Sequence, residues 1–516
     1  MRVTNNMITE HSKNNINGTK QLVDKYNTQM TDQKKINKPS DDPVVAIRSL
    51  RLRNTLAEVN QYYEKNIPDA ESWLDVTETA LTNMSQIVKD IYTQCVNGSN
   101  DTLTADDRNI LLKNVTALKT QLYAEGNADY TGRTIFTGFK TNSPLTFEQA
   151  DTNANYSIKQ DLNINSITSK KYFTDILQLP TNDADVKAGI PLGDEMKEVT
   201  HDRIRLAYEE LDAAVVPNIN VNGIALDGMT IQYQNSLGAT INETVNVETR
   251  SYADWYADGF EVEDNQVLFI PETGELILGS GVAQSMKTDA KANPSWSMNI
   301  EYNKKGFQKG EIVPEMYFNC TNITDSVHPV EFKKSNQDIE YLISENQTLK
   351  VNTQASDDGL LSTAIGREMD EMTEAVTAAI NANEKVDKIK GMMLQARYAD
   401  KEFQEGLKLW LEAANKEKTY ADDTLQKLFG SGQTSFQSYQ KAIDLETTDV
   451  GSRDNRLKLT KTRMQTQQST INKLISDNEN RNQSDILIDY KAAYTAYESA
   501  LTAASKANDM TLLDYL

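Results

Sequence analysis

The chain has 516 residues, a length that suits about three domains of ~150 residues each, and its hydrophobic fraction of 38% is enough for cores but low for a globular enzyme. A net charge of −22 repels phosphate backbones and anionic membranes over most of the surface, which argues against nucleic-acid binding. The only cysteines, Cys95 and Cys320, lie far apart and give neither a disulfide framework nor a cysteine zinc site; 23 glycines and 11 prolines are few enough to favour long helices.

Residues 1–8 hold no apolar core of signal-peptide length, and no run of about 18 apolar residues follows anywhere. The expectation is a protein that is cytosolic or exported without a cleaved signal. Across 4–33, Ile8, Asn15, Leu22 and Gln29 recur every seventh position, with Thr19 and Tyr26 between them. Half of that seam is polar and Asn17-Gly18 weakens it further, so the helix is not expected to stand alone. After the polar connector 31–42, Asp42 is a candidate N-cap with Pro43 at the first helical position.

A long helix is expected next. Leu52, Leu56, Val59, Tyr63, Asn66, Ala70, Trp73, Thr77, Ala80, Met84, Ile87 and Ile91 alternate in steps of four and three, the spacing of helices packed on other long helices. Pro68 should kink or split it, because proline removes a backbone donor. Asn97-Gly98 ends the run, and Thr104 with Asp107 predicts a capping box for a second helix carrying Leu111, Val115, Leu118 and Leu122, closed by Gly126. Residues 130–147, with Gly132 and Gly138 among aromatics, predict a small hairpin.

The middle, about 141–356, changes character. Phe260–Val262, Val267–Ile270 and Glu275–Leu278 predict strands joined by turns, and Met316–Phe318 another; 201–213 predicts one short helix. From 357 the pattern is helical again. Ile365, Met369, Met372, Val376, Ala379, Asn383 and Val386 keep the four-three rhythm, which slips in phase at Ile389 without an expected break. Gly430, Gly432 and Gly451 predict loops. Leu457, Met464, Ile471 and Asn478, and in parallel Thr460, Gln467 and Leu474, recur every seventh position, and Ile486, Tyr490, Ala493, Tyr497, Ala500, Ala504 and Ala507 carry the rhythm to an apolar tail.

The predicted class is mainly α with an inserted α+β or mostly-β domain. The molecule should be elongated, with N- and C-terminal helices packed coaxially and in a bundle and an outer domain at the far end. A continuous helix over 43–95 would span roughly 80 Å. The expected division is 1–33 with 480–516 as terminal coaxial helices, 34–140 with 357–479 as the helical bundle, and 141–356 as the outer domain. Seams of Asn, Thr, Gln and Ala at both ends gain little from burial within one chain and would be stabilised when copies pack together. Frayed terminal helices are the alternative.

Lys35-Ile36-Asn37-Lys38-Pro39-Ser40-Asp41-Asp42-Pro43 resembles the segment before the first long helix in flagellins and hook-associated proteins. The stretch 70–81, the Gly132-Arg133-Thr134-Ile135-Phe136-Thr137-Gly138 hairpin and the C-terminal 499–506 and 512–516 resemble further segments of the flagellin superfamily in the same order. The likeness covers roughly 1–147 and 453–516 and is nearest to the members at the junction between hook and filament. Ile270–Glu275 gives a weaker likeness to middle domains of the superfamily.

The resemblance implies a non-enzymatic structural subunit of the bacterial flagellum, unfolded during export through the flagellar type III channel with a dedicated chaperone and assembled extracellularly into a ring. The implied partners are copies of itself, the other hook-associated junction protein, flagellin and the export chaperone. No cofactor, metal, nucleic acid or membrane is implied. The expected assembly interface is Val3, Met7, Ile8, Leu22, Tyr26, Ile486, Tyr490, Ala493, Tyr497, Ala500, Leu501, Ala504, Leu512, Leu513, Tyr515 and Leu516. A filament-forming flagellin is the alternative within the superfamily.

Enzymatic readings lack their motifs. The three histidines, His11, His201 and His328, include no His-Glu-x-x-His pair, since His201 is followed by Asp-Arg-Ile-Arg. Gly279-Ser280-Gly281 lacks phosphate-loop spacing and predicts a turn after a strand. Cys95 has no histidine near it in sequence. Trp255, Tyr256 and Trp296 motivate a carbohydrate-binding outer domain, against which stands a core role for aromatics. Arg453, Arg456, Lys458, Lys461 and Arg463 suit either a solvated helix face or acidic helices of neighbouring subunits.

Overall fold

The computed structural model describes residues 5–100, 103–189, 196–234, 238–335 and 337–509. Its helices are α1 (Asn5–Asp32), α2 (Pro43–Gln61), α3 (Ile67–Gly98), α4 (Ala105–Glu125), α5 (Asp183–Ala188), α6 (Tyr252–Ala257), α7 (Ser280–Ala292), α8 (Thr363–Met393), α9 (Lys401–Glu479) and α10 (Gln483–Asp509). α1–α4 and α8–α10 bracket a strand-rich middle that holds α5–α7, so helical ends with an inserted β domain are what the chain forms.

The chain makes two compact units. The smaller takes its residues from 1–71, 341–349 and 454–516. Here Asp42 caps α2 by accepting from the Val44 and Val45 amides, with Pro43 at the first position. The long helix is split as Pro68 requires. A π-helical turn at Tyr62–Asn66 separates α2 from α3, and the Ile67 amide reaches back five residues to the Tyr62 carbonyl. Widening the turn there accommodates the proline ring, which would otherwise clash with the carbonyl four residues before it. A hairpin of Glu340–Ser344 with Gln347–Lys350 brings Leu342, whose carbonyl accepts from Asn66 Nδ2 at 2.7 Å.

The larger unit takes its residues from 72–340 and 350–453. Trp73, Thr77, Ala80, Met84, Ile87 and Ile91 of α3 are all buried, as are Ile365, Met369, Met372, Val376, Ala379, Val386 and Ile389 of α8. Thr104 and Asp107 form the capping box of α4, which packs on α8. The hairpin after α4 is present as Asp129–Tyr130 paired with Arg133–Thr134.

Two sheets build the middle. One runs Asn246–Thr249, Gln266–Ile270, Glu275–Leu278, Lys197–Arg205, Ile167–Thr174, antiparallel except for its first pair. The other is antiparallel throughout: Val330–Phe332, Asn319–Asn322, Asp151–Leu162, Met298–Phe307, Asn218–Val221, Ile224–Ala225. Alternation sends Val267 and Phe269 into a core shared with Ile158, Ile300 and Tyr302, while Leu268 and Ile270 face a second core around Trp255 and Phe260.

Several expectations are overturned. Residues 201–213 are not a helix: Lys197–Arg205 is a strand paired on both sides, because sheet pairing overrides local propensity. Phe260–Val262 is not a strand, since Phe260 has φ +60°. Met316 ends a 3₁₀ turn, and the strand begins at Asn319. Gly279-Ser280-Gly281 opens α7. The phase slip at Ile389 does end a helix, at Met393, before α9 begins at Lys401.

The glycines expected in loops lie inside α9. A Cβ on Gly432 would meet the Met372 side chain, so this glycine permits close helix packing. Gly406 is stricter, because a Cβ there would overlap the backbone carbonyl of Val186. Gly406→Ala should therefore destabilise the larger unit by about 1–2 kcal/mol, overpacking outweighing the gain in helix propensity. Gly430→Ala, with open space around it, should stabilise by up to about 1 kcal/mol. Thermal unfolding of the two variants decides this, and equal shifts would refute the packing assignment.

Candidate functional site

The terminal helices of the smaller unit pack on each other. Ile486 and Ala493 are buried in that pair, and Tyr26, Tyr490, Tyr497, Ala500 and Ala504 are half-buried. Arg481 ties the ends together. Its amide donates to the Gln33 carbonyl at 3.0 Å, Nη1 donates to Gln29 Oε1 at 3.1 Å, and its guanidinium lies 5.6 Å from the Tyr26 ring centroid. Glu479 accepts from Arg53 at 2.7 Å and from Ser49 Oγ; Arg53 holds its carboxyl below the ordinary value against the opposing effect of burial.

Met7, Ile8, Leu22 and Leu501 face solvent in the chain by itself, at 46%, 39%, 44% and 42% exposure. Val3, Leu512, Leu513, Tyr515 and Leu516 lie outside the described residues. Sequence reasoning missed a second exposed apolar set, Val44, Ile47 and Leu50 on α2 with Leu487 and Ile488 on α10. The three-residue spacing of the α2 set was its available signal. Of the two seven-residue columns in α9, Leu457, Met464, Ile471 and Asn478 are buried, whereas in the other Thr460 is buried and Gln467 and Leu474 are exposed.

The basic run on α9 is sorted by its partners. Arg453 pairs with Asp449, Lys458 with Asp454 at 2.6 Å and Lys461 with Glu71 at 2.5 Å. Arg456 and Arg463 have no carboxylate within 4 Å among the described residues. They line a cleft of about 610 Å³ with Tyr62, Glu58 and the hairpin residues Ser344–Gln347.

In the larger unit a buried charge cluster joins sheet to helix. Arg203 Nη2 donates to both Glu371 oxygens at 2.6 and 2.7 Å and Nη1 donates to Glu275; Arg205 Nη1 reaches Glu371 at 2.8 Å, and Lys170 lies 3.2 Å from Glu275. Burial pushes the Glu371 carboxyl up, but Lys170, Arg203 and Arg205 outweigh it and hold it at about 2.

Groups that could do chemistry are otherwise engaged. Burial pushes the Cys95 and Cys320 thiols up to about 12, which keeps them protonated. His201 Nε2 lies 2.7 Å from the Phe260 carbonyl among aromatic rings, with burial lowering its pKa. Trp255 and Trp296 are core residues and are not presented to a sugar. Among the described residues, no group of three His, Cys, Asp or Glu side chains could hold a metal, and no helix is long and apolar enough to cross a membrane.

Residues 3–141 match the bacterial flagellin N-terminal helical region. Over 144 residues, 28% of this chain and 45% of the relative, the chain is 30% identical to flagellar hook-associated protein 3 of Escherichia coli (strain K12). The protein of the same name from Salmonella typhimurium is 29% identical over 151 residues, 29% of this chain and 47% of that protein. The chain thus spans about half the length of the curated relatives it matches. Among solved structures, flagellar hook associated protein-3 from Legionella pneumophila covers 83% of this chain and 97% of its own length at 11% identity, with a TM-score of 0.29, a likeness too loose to bear on the arrangement of elements.

Proposed function

We propose, from the premise that residues 3–141 are a flagellin-superfamily N-terminal helical region, that the chain is a non-enzymatic structural subunit of the bacterial flagellum at the junction of hook and filament. It assembles with copies of itself into a ring, joins the other hook-associated junction protein to the first flagellin subunits, and reaches this extracellular place through the flagellar export channel with a chaperone. The observation that carries the reading is the terminal helix pair, which leaves Met7, Leu22, Ile488 and Leu501 facing solvent in one chain. Exposed apolar residues on a paired helix surface suit burial against further subunits. The terminal pair, bundle and outer domain, with boundaries near 33, 140, 357 and 480, are part of this reading.

Removing the chain from its bacterium should leave hooks without filaments and flagellin shed into the medium. Filaments of normal length in that strain would refute the junction role. Flagellin itself is the second reading, favoured by the name of the matched region, and copy number decides between them: a handful of chains per flagellum fits the junction, and thousands fit the filament.

A further inference from the structure

We propose that the cleft between α2, α9 and the 341–349 hairpin accepts an exposed carboxylate of a second copy of this chain, with Arg456 and Arg463 as its donors. Seven residues apart on α9, the two arginines face the same way. Arg463 Nη2 is positioned by Ser344 Oγ at 3.1 Å and Gln347 Oε1 at 2.8 Å, and Arg456 Nη2 by the Thr348 carbonyl at 3.5 Å. All of these partners are neutral. Neither guanidinium is therefore compensated by a carboxylate, and both keep further N–H donors in a fork that matches one.

The cleft is built, because its hairpin is latched. Asn66 Nδ2 donates to the Leu342 carbonyl, and the Tyr341 hydroxyl donates to Asp69. Its floor includes Tyr62, the first residue of the π turn, a geometry often found at functional sites. The other three basic residues of the run are paired with carboxylates within the chain, which leaves these two as the run's cations without a carboxylate partner among the described residues.

The occupant follows from charge. Glu58 and Glu345 also line the cleft, so its mixed sign disfavours a polyanion such as nucleic acid and suits single carboxylates on a protein surface. A second copy, with a net charge of −22, offers those in excess. The inference rests on the self-assembling reading above and deepens it by naming a contact.

The test is sedimentation velocity of the full chain over a concentration series, at about 50 mM and about 500 mM salt. Wild-type self-association should weaken at least about tenfold at the higher salt, and R456Q/R463Q should be at least about tenfold weaker than wild type at the lower. R456Q alone, which gives up one long hydrogen bond, should show part of the loss with an unchanged unfolding midpoint. K473Q removes an exposed charge elsewhere on α9 and should associate as wild type does. The proposal is overturned by a double variant that associates normally, by K473Q weakening as much, or by a wild-type chain that stays monomeric throughout. If the double variant associates normally while the deletion strain still lacks filaments, the cleft assignment fails and the flagellar reading stands.

Discussion

Replacing Glu371 by glutamine is expected to lower the stability of the larger unit by about 3 kcal/mol, because it leaves buried arginines without their carboxylate. Arg203 is 7% exposed and Glu371 11%, so solvent does little to compensate. Glu275 remains, but it already serves Lys170, Arg203 and the Tyr172 hydroxyl. The effect should depend on pH. Glu371 titrates at about 2 when folded against an ordinary 4.5, so folding favours its ionised form. Its stabilisation is complete above about pH 4.5 and is lost as pH falls from there towards 2. Burial raises Glu368 and Glu374 instead; folding favours their protonated forms, and their contribution runs the opposite way. The difference between wild type and Glu371→Gln isolates the single carboxylate. Measured by denaturant unfolding, that difference should shrink from about pH 6 to about pH 3; a constant difference would show that the charge is not what matters.

The same cluster explains where sequence reading stopped. The seams through Trp73–Ile91 and Ile365–Ile389 were legible because a helix reports its buried face within a few turns of its own sequence. Arg203 and Arg205 were not: their place in a strand becomes intelligible when Glu371, from a distant helix, meets both of them and Glu275, from the next strand, meets Arg203. Glycine misled for a related reason. Gly430, Gly432 and Gly451 carry the signal of helix breakers yet lie inside α9, and what a glycine there does, as Gly432 beside the Met372 side chain, depends on neighbours from other segments. Leu474 has the spacing of a seam residue and the exposure of a surface one. The terminal helix pair was half legible for the same reason. Ile486 and Ala493 were found as seam positions, whereas Ile488, off the seam, emerges only once the paired helices show which face is left over.

Ile486→Asp and Ile488→Asp should separate folding of the terminal pair from assembly. Ile486 is fully buried and Ile488 is 65% exposed, two residues apart on the same helix. An aspartate at 486 buries an unpaired charge where a large aliphatic side chain was, a loss of about 3 kcal/mol or more. Of the described α10 residues only Ile486 and Ala493 are buried, so little else holds the pair. Limited proteolysis should then trim both termini of the variant sooner while the larger unit, 72–340 with 350–453, stays protected, and filaments should be lost. An aspartate at 488 meets water in the free chain and should change monomer stability by less than about 0.5 kcal/mol. If the terminal pair assembles with further subunits as proposed, the same side chain would be buried there, so Ile488→Asp should leave the proteolysis pattern of the monomer unchanged and still prevent filament attachment. Normal filaments with Ile488→Asp would remove this face from the interface. Termini of Ile486→Asp as resistant as those of wild type would mean that the helix pair is held by something other than its buried seam.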